Sequence, residues 1–279
     1  IVEALLNYTN VKMIGLCNVP INTIDGIKRH MNLPNANIEY IGLNHFAYIT
    51  KIEQDGKDYL QDALDAGLNS ESMKNIPASG FTKEQIAAIG AIPTSYLEYY
   101  YFKNSKLEKL LHSEKSRGET CMQIEEELLK IYQDSELHVK PAQLSKRGGA
   151  RYSEVAISLV DSIWNDRNDI HVVNVLNNGA LPFLADDDAV EIRAYVGKDG
   201  AKPLPLESDV NDHIKDYIKQ VKAYEKHAVK AAINGDKIEA MRALMSNPLV
   251  ADLNTASACF DELLEAHKEF LPQFFKEEK

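Results

Sequence analysis

Apolar positions recur along this chain in two periods, and the change from one to the other sketches its elements. Residues 11–16 (VKMIGL) form a short apolar run that predicts a buried strand ending in Cys17. Residues 37–53 alternate well enough for one or two further strands, closed by the turn pair Asp55-Gly56. Residues 57–67 and 83–90 read as short helices, the second opened by Thr82 with Glu84 and Gln85 in its first turn. Ile124, Leu128 and Ile131 or Tyr132 set a helical period over 119–133, and Ser153–Trp164 continues it. Strand character returns at 170–176 and 189–196, separated by Asn177-Asn178-Gly179 and the acidic run Asp186-Asp187-Asp188.

From Glu207 onward the period is helical to the end. Val210, Ile214, Tyr217, Val221, Tyr224 and Ala228 lie on one face of a long helix that stops near Asn234-Gly235, and Leu253, Ala256, Phe260, Leu263 and His267 repeat the spacing. Gly197–Pro205 and Ser113–Gly118 read as loops. No internal repeat or low-complexity linker divides the sequence, which predicts one α+β domain over residues 1–279.

Composition narrows the function. With 279 residues, 44% hydrophobic and 26% charged, the chain can bury a large core. A formal charge of -11 argues against nucleic acid as the main partner, because a phosphate backbone needs a basic face, but it permits a local phosphate pocket. Three scattered cysteines, Cys17, Cys121 and Cys259, make no disulfide framework and fit a reducing cytoplasm. No apolar run reaches the roughly 20 residues of a membrane span, and the N-terminus does not read as a signal peptide. No Gly-x-Gly-x-x-Gly follows a strand, so the chain has no dinucleotide-binding fingerprint of its own.

Three motifs carry candidate chemistry: Gly15-Leu16-Cys17-Asn18-Val19, Gly42-Leu43-Asn44-His45 and Gly148-Gly149-Ala150-Arg151-Tyr152. Cys17 and His45, each at the end of an apolar run, can meet in one cleft, and a thiolate with an imidazole suits a first-row divalent metal when further positions stay open for substrate oxygens. Taken alone, a Cys is more often a small buried hydrophobe and a His a core or surface residue. Gly148-Gly149 reads as a flexible entry into a helix over Ala150–Trp164, which puts Arg151 and Tyr152 in its first turn. There the positive end of the macrodipole, Arg151 and a nearby cation all favour phenolate, making Tyr152 a candidate base. The alternative is an ordinary Tyr with its ring packed and its hydroxyl wet. Asp186–Asp188 reads as a solvated turn.

GLCNVP, GLNHF, the IPTSYLEYYY stretch from Ile92 to Tyr101, GGARYSEVA and VVNVLNNGALP stand in an order and spacing that resemble glycoside hydrolase family 4, the NAD- and metal-dependent phosphoglycosidases. The resemblance spans residues 11–182. It implies a C-terminal substrate and metal domain like that of lactate and malate dehydrogenases, with small mixed sheets, many helices and a helical C-terminus. It implies an NAD-binding Rossmann domain outside this chain, and a homo-oligomer in the cytoplasm. Asn18, following the Cys, looks like the 6-phospho-β-glucosidase branch, where Asp marks the α-glucosidases.

The reaction so implied is hydrolysis of a phosphorylated disaccharide or aryl β-glucoside, such as cellobiose 6-phosphate, by C3 oxidation, C2 deprotonation and elimination. Family 4 is an exception to the two-carboxylate scheme of other glycosidases. The residues implied are Cys17 and His45 as ligands of a divalent metal, above all Mn²⁺, Tyr152 as base, and Asn18 and Arg151 as substrate contacts. A lactate or malate dehydrogenase half is the nearest fold alternative, and a non-catalytic binding or oligomerisation module the non-enzyme one.

Overall fold

A computed structural model describes residues 1–69, 80–149, 151–250 and 252–275. Ala150, where the sequence pattern starts a helix, lies outside them. In chain order the helices are α1 (Val2–Tyr8), α2 (Val19–His30), α3 (Leu60–Asp65), α4 (Lys83–Ile89), α5 (Glu98–Tyr101), α6 (Lys103–Leu111), α7 (Arg117–Ile131), α8 (Leu144–Arg147), α9 (Tyr152–Trp164), α10 (Asp212–Asn234), α11 (Lys237–Ser246) and α12 (Leu253–Ala266). The strands are β1 (Asn37–Leu43), β2 (Phe46–Gln54), β3 (Lys57–Asp58), β4 (Ile92–Pro93), β5 (Asp169–Leu176), β6 (Ala189–Gly197) and β7 (Gly200–Pro203). One sheet runs β1-β2-β3 with β4 on β2, the other β5-β6-β7, and every pairing is antiparallel.

Strands β1 and β6 pack against each other, so the two small sheets share one core. Tyr40, Ile41, Tyr48 and Ile49 from the first sheet and Val173, Ile192, Ala194 and Val196 from the second are fully buried there. Almost every residue of β1 and β2 is buried, so the alternation expected over 37–53 does not divide a wet face from a buried one. Helix α10 closes the core with Ile214, Ile218 and Val221, its Asn211 cap accepting from the Ile214 amide at 3.1 Å and Gly235 ending it in the left-handed conformation. Lys222 of α10 is buried with Glu3 of α1 at 2.8 Å and Glu225, fastening the first helix to the longest one.

Several details depart from the sequence pattern: the helix expected over 57–67 begins only at Leu60, after Lys57–Asp58 pairs with β2 as β3. Residues 11–16 form no strand: Val11 is 53% exposed, and only Gly15 pairs, exchanging two backbone hydrogen bonds with Asn174. The chain instead turns at once into α2, with Pro20 in its first turn. The expected loop 197–205 contains β7, which folds back on β6 through Lys198-Asp199. Within Ser113–Gly118, Ser116 already caps α7 in a reciprocal pair with Glu119. Asp188, assigned to a solvated turn, is buried, accepts from the Ala185 amide at 2.9 Å and pairs with Lys226 at 2.8 Å.

The β1–β2 hairpin sets the site geometry, and Gly42 sets the hairpin. Its φ of 144° lies outside the range side chains adopt readily, and a Cβ there would sit 2.3 Å from the Phe46 carbonyl oxygen and 2.7 Å from the Ala47 Cα. Gly42→Ala is expected to destabilise the fold by on the order of 3 kcal/mol, from backbone strain and overpacking together. The denaturant midpoint of the variant measures this, and an unshifted midpoint contradicts it.

Candidate active site

Cys17 sits where the Gly15 bridge ends and α2 begins. Its side chain is buried, and its sulfur accepts from the Val19 amide at 3.5 Å and from the side chains of Asn44 and Tyr152. Burial, with the nearby Glu191 carboxylate second, pushes the thiol up to about 11. This thiol stays protonated near neutral pH unless a cation stabilises its anion.

His45 does not end a strand. With Asn44 it makes the two-residue turn that reverses β1 into β2, since Leu43 pairs with Phe46. It adopts the left-handed conformation, φ 63°, at the second central position of the turn, where a type II geometry places it. The imidazole stacks on Tyr96, centroids 4.1 Å apart and planes 12° from parallel. Burial lowers its affinity for a proton, which keeps the ring neutral with a lone pair free for coordination.

Tyr152 is the first residue of α9. Its ring is 41% exposed while its hydroxyl points inward, meeting the Cys17 thiol and the backbone of Asn18. The phenolate expected from Arg151 and the helix terminus is not favoured by these surroundings. Burial, and after it Cys17, push the phenol up, because Arg151 is turned away. Arg151 caps α9 in a left-handed conformation and divides its guanidinium between Glu154 (2.9 and 2.6 Å) and Asp25 of α2 (2.5 Å). Those carboxylates raise its already high affinity for the proton. Asn18 is buried at the cap position of α2, where its carbonyl accepts from the Asn22 side chain at 2.8 Å.

Cys17 meets the side chains of Tyr152 and Asn44, and the Tyr152 hydroxyl also reaches the backbone of Asn18. His45, which follows Asn44 in the hairpin turn, stacks on Tyr96, and Arg151 is engaged elsewhere with Asp25 and Glu154. Among the described residues no three His, Cys, Asp or Glu side chains form a metal cluster. By its chemistry a thiol with a neutral imidazole would suit a first-row divalent ion with positions left for substrate oxygens.

Three site residues escaped the sequence reading. Tyr96 lay in the IPTSYLEYYY stretch and Asn44 in GLNHF, but neither was assigned a role. Glu191 gave a plainer signal, a lone carboxylate inside the apolar strand AVEIRAYV, where charges are rarely buried without purpose. It is fully buried and accepts from Tyr40 (2.9 Å), Asn44 (3.0 Å) and Asn174 (2.9 Å), and burial raises it against those three donors.

Two small antiparallel sheets beneath a long helix, with this thiol and imidazole at their junction, belong to a known class. The family 4 glycosyl hydrolase C-terminal domain matches residues 40–250, and the chain belongs to that family. It is 38% identical over 284 residues to a probable 6-phospho-β-glucosidase of Bacillus subtilis (strain 168), covering 99% of this chain and 64% of that protein. It is 32% identical over 286 residues to the 6-phospho-β-glucosidase of Escherichia coli (strain K12), covering 98% and 63%. Two solved structures of the 6-phospho-β-glucosidase from Thermotoga maritima superpose with TM-scores of 0.85 and 0.84 at 32% identity, each covering 97% of this chain and 64% of the other. The first holds NAD and glucose-6-phosphate, the second manganese, NAD⁺ and glucose-6-phosphate. The fold is accordingly the dehydrogenase-like C-terminal domain implied by the sequence resemblance, and the chain spans about 64% of the length of these relatives.

Proposed function

We propose that this chain is the substrate- and metal-binding domain of a cytoplasmic, homo-oligomeric 6-phospho-β-glucosidase, acting on a phosphorylated disaccharide or aryl β-glucoside such as cellobiose 6-phosphate. The observation that carries the reading is the buried Cys17 thiol meeting both Tyr152 and Asn44, the residue next to His45 in the hairpin turn, in a family 4 chain. Relatives named 6-phospho-β-glucosidase, at up to 38% identity, support the substrate class. The share of their length that this chain leaves uncovered supports a separate NAD-binding domain in the whole protein, because these residues contain no Gly-rich dinucleotide loop.

Cys17 and His45 would hold a divalent cation, Mn²⁺ above all. When bound, the cation supplies Lewis acidity toward the sugar's vicinal oxygens and NAD supplies reversible hydride removal at C3. The rest falls to side chains of this chain. Asn18 hydrogen-bonds sugar hydroxyls from its buried place beside the thiol. Tyr152 takes the C2 proton onto its hydroxyl oxygen, which must first release its own proton to become a base. The raised phenol makes that release costly in the chain by itself, so charge beside Cys17 is what tunes it. Arg151 reaches a 6-phosphate only by exchanging Asp25 or Glu154 for it.

Expression of the 279 residues alone separates the two halves of this division of labour. The isolated chain is expected to bind Mn²⁺ but not to release aglycone from a 6-phospho-β-glucoside with NAD and Mn²⁺ present. NAD-dependent hydrolysis above background by the chain alone overturns the assignment. A lactate- or malate-type dehydrogenase would instead bind no first-row metal and lose nothing to a chelator.

A further inference from the structure

Glu191 touches no reacting atom, yet its carboxylate joins three elements: the Tyr40 hydroxyl of β1, the Asn44 amide of the hairpin turn and the Asn174 amide of β5. Two of these donors have a second connection to the site. Asn44 precedes His45 and also reaches the Cys17 sulfur. Asn174 exchanges both backbone hydrogen bonds, 2.9 Å each, with Gly15, two residues before Cys17. The carboxylate therefore ties the turn carrying His45 to the segment carrying Cys17, although the two belong to different parts of the chain. Glu191 is fully buried, and a desolvated carboxylate costs stability that an apolar side chain of similar size would not, unless its hydrogen bonds offset the cost. A buried carboxylate held by three donors from three elements points to a requirement of geometry.

We infer that Glu191 is a positioning residue of the active site, fixing the spacing of Cys17 and His45 through Asn44 and Asn174 and thereby setting the affinity for a divalent cation. This rests on the proposed role of Cys17 and His45 as cation ligands. The action is through hydrogen-bond geometry. Glutamine can reproduce it, with its amide oxygen accepting from both asparagines and its NH₂ donating to a reversed Tyr40 hydroxyl.

The test measures Mn²⁺ affinity of the full-length protein from the free-ion electron paramagnetic resonance signal, with hydrogen exchange at the Leu43–Ala47 amides followed in metal-free protein. Glu191→Ala is expected to weaken Mn²⁺ binding by roughly ten- to a hundredfold, the loss typical of removing a group that orients a ligand, while Glu191→Gln restores it to within about threefold. An alanine variant that binds like wild type, or a glutamine variant as weak as alanine, overturns the inference. Should Glu191→Ala not fold, Asn174→Ala removes one of the three donors to the carboxylate while leaving Asn44 on the sulfur, and there a weaker affinity supports the inference and unchanged affinity overturns it. If wild type itself binds no Mn²⁺, the ligand assignment falls and Glu191 is judged by exchange: faster turn amides in alanine, restored in glutamine, support positioning, and unchanged rates refute it.

Discussion

Tyr152→Phe in the full-length protein is expected to abolish solvent exchange at C2 of a 6-phosphoglucoside and to lower kcat by roughly 10²–10⁴-fold, the usual contribution of a positioned base. At about 1.36 kcal/mol per tenfold, that is about 3–5 kcal/mol of barrier. Mn²⁺ binding should persist, because the phenol touches the thiol without being one of the two donors assigned to the cation. A second phenol makes the experiment sharper. Tyr96 stacks on His45 and bears electrostatically on Tyr152, which makes its phenol the alternative base to test. If C2 exchange survives in Tyr152→Phe and collapses in Tyr96→Phe, the base is Tyr96 and Tyr152 only holds the thiol. The measurement is deuterium incorporation from D₂O, which isolates the proton step from aglycone release.

The choice between these phenols marks what the sequence could carry. Cys17, His45 and Tyr152 stood out as candidates because each stands in a short motif whose order resembles one family. Their convergence depended on hairpin register: one residue of slip between β1 and β2 would move Asn44-His45 off the turn and turn Leu43 and Phe46 to the opposite face. Cys17 was legible as a buried thiol but not as a helix entry, since an apolar run of six predicts a strand unless a partner edge is lacking, and only Gly15 finds one. Long-range polar pairing was invisible. Arg151 meets Asp25 across 126 positions, which withdraws the charge expected to activate its neighbour Tyr152, and no local pattern announces it. Asp188 was misread for the same reason, its partner Lys226 lying on α10. Glu191 is the intermediate case: its burial followed from the strand around it, while the three donors that make burial tolerable come from three other places in the chain.

Cys17→Ser is expected to have the other large effect, on the cation. Serine keeps the volume and a hydrogen-bonding atom for Val19, Asn44 and Tyr152, so the fold should persist, but an alcohol does not ionise where even the thiol is pushed up to about 11. Loss of the one anionic donor should cost more than the roughly 10–100-fold that loss of a supporting group costs, and turnover should fall with it. The pH dependence provides a check with a definite sign. Binding a cation to the thiol releases its proton, so Mn²⁺ affinity of the wild type should rise with pH throughout the range below 11, and the slope should vanish in Cys17→Ser. His45, whose proton affinity is lowered by burial, is already neutral over the upper part of that range and adds no slope there. A serine variant that keeps both the affinity and the pH slope of wild type would place the cation elsewhere and remove Cys17 from the site.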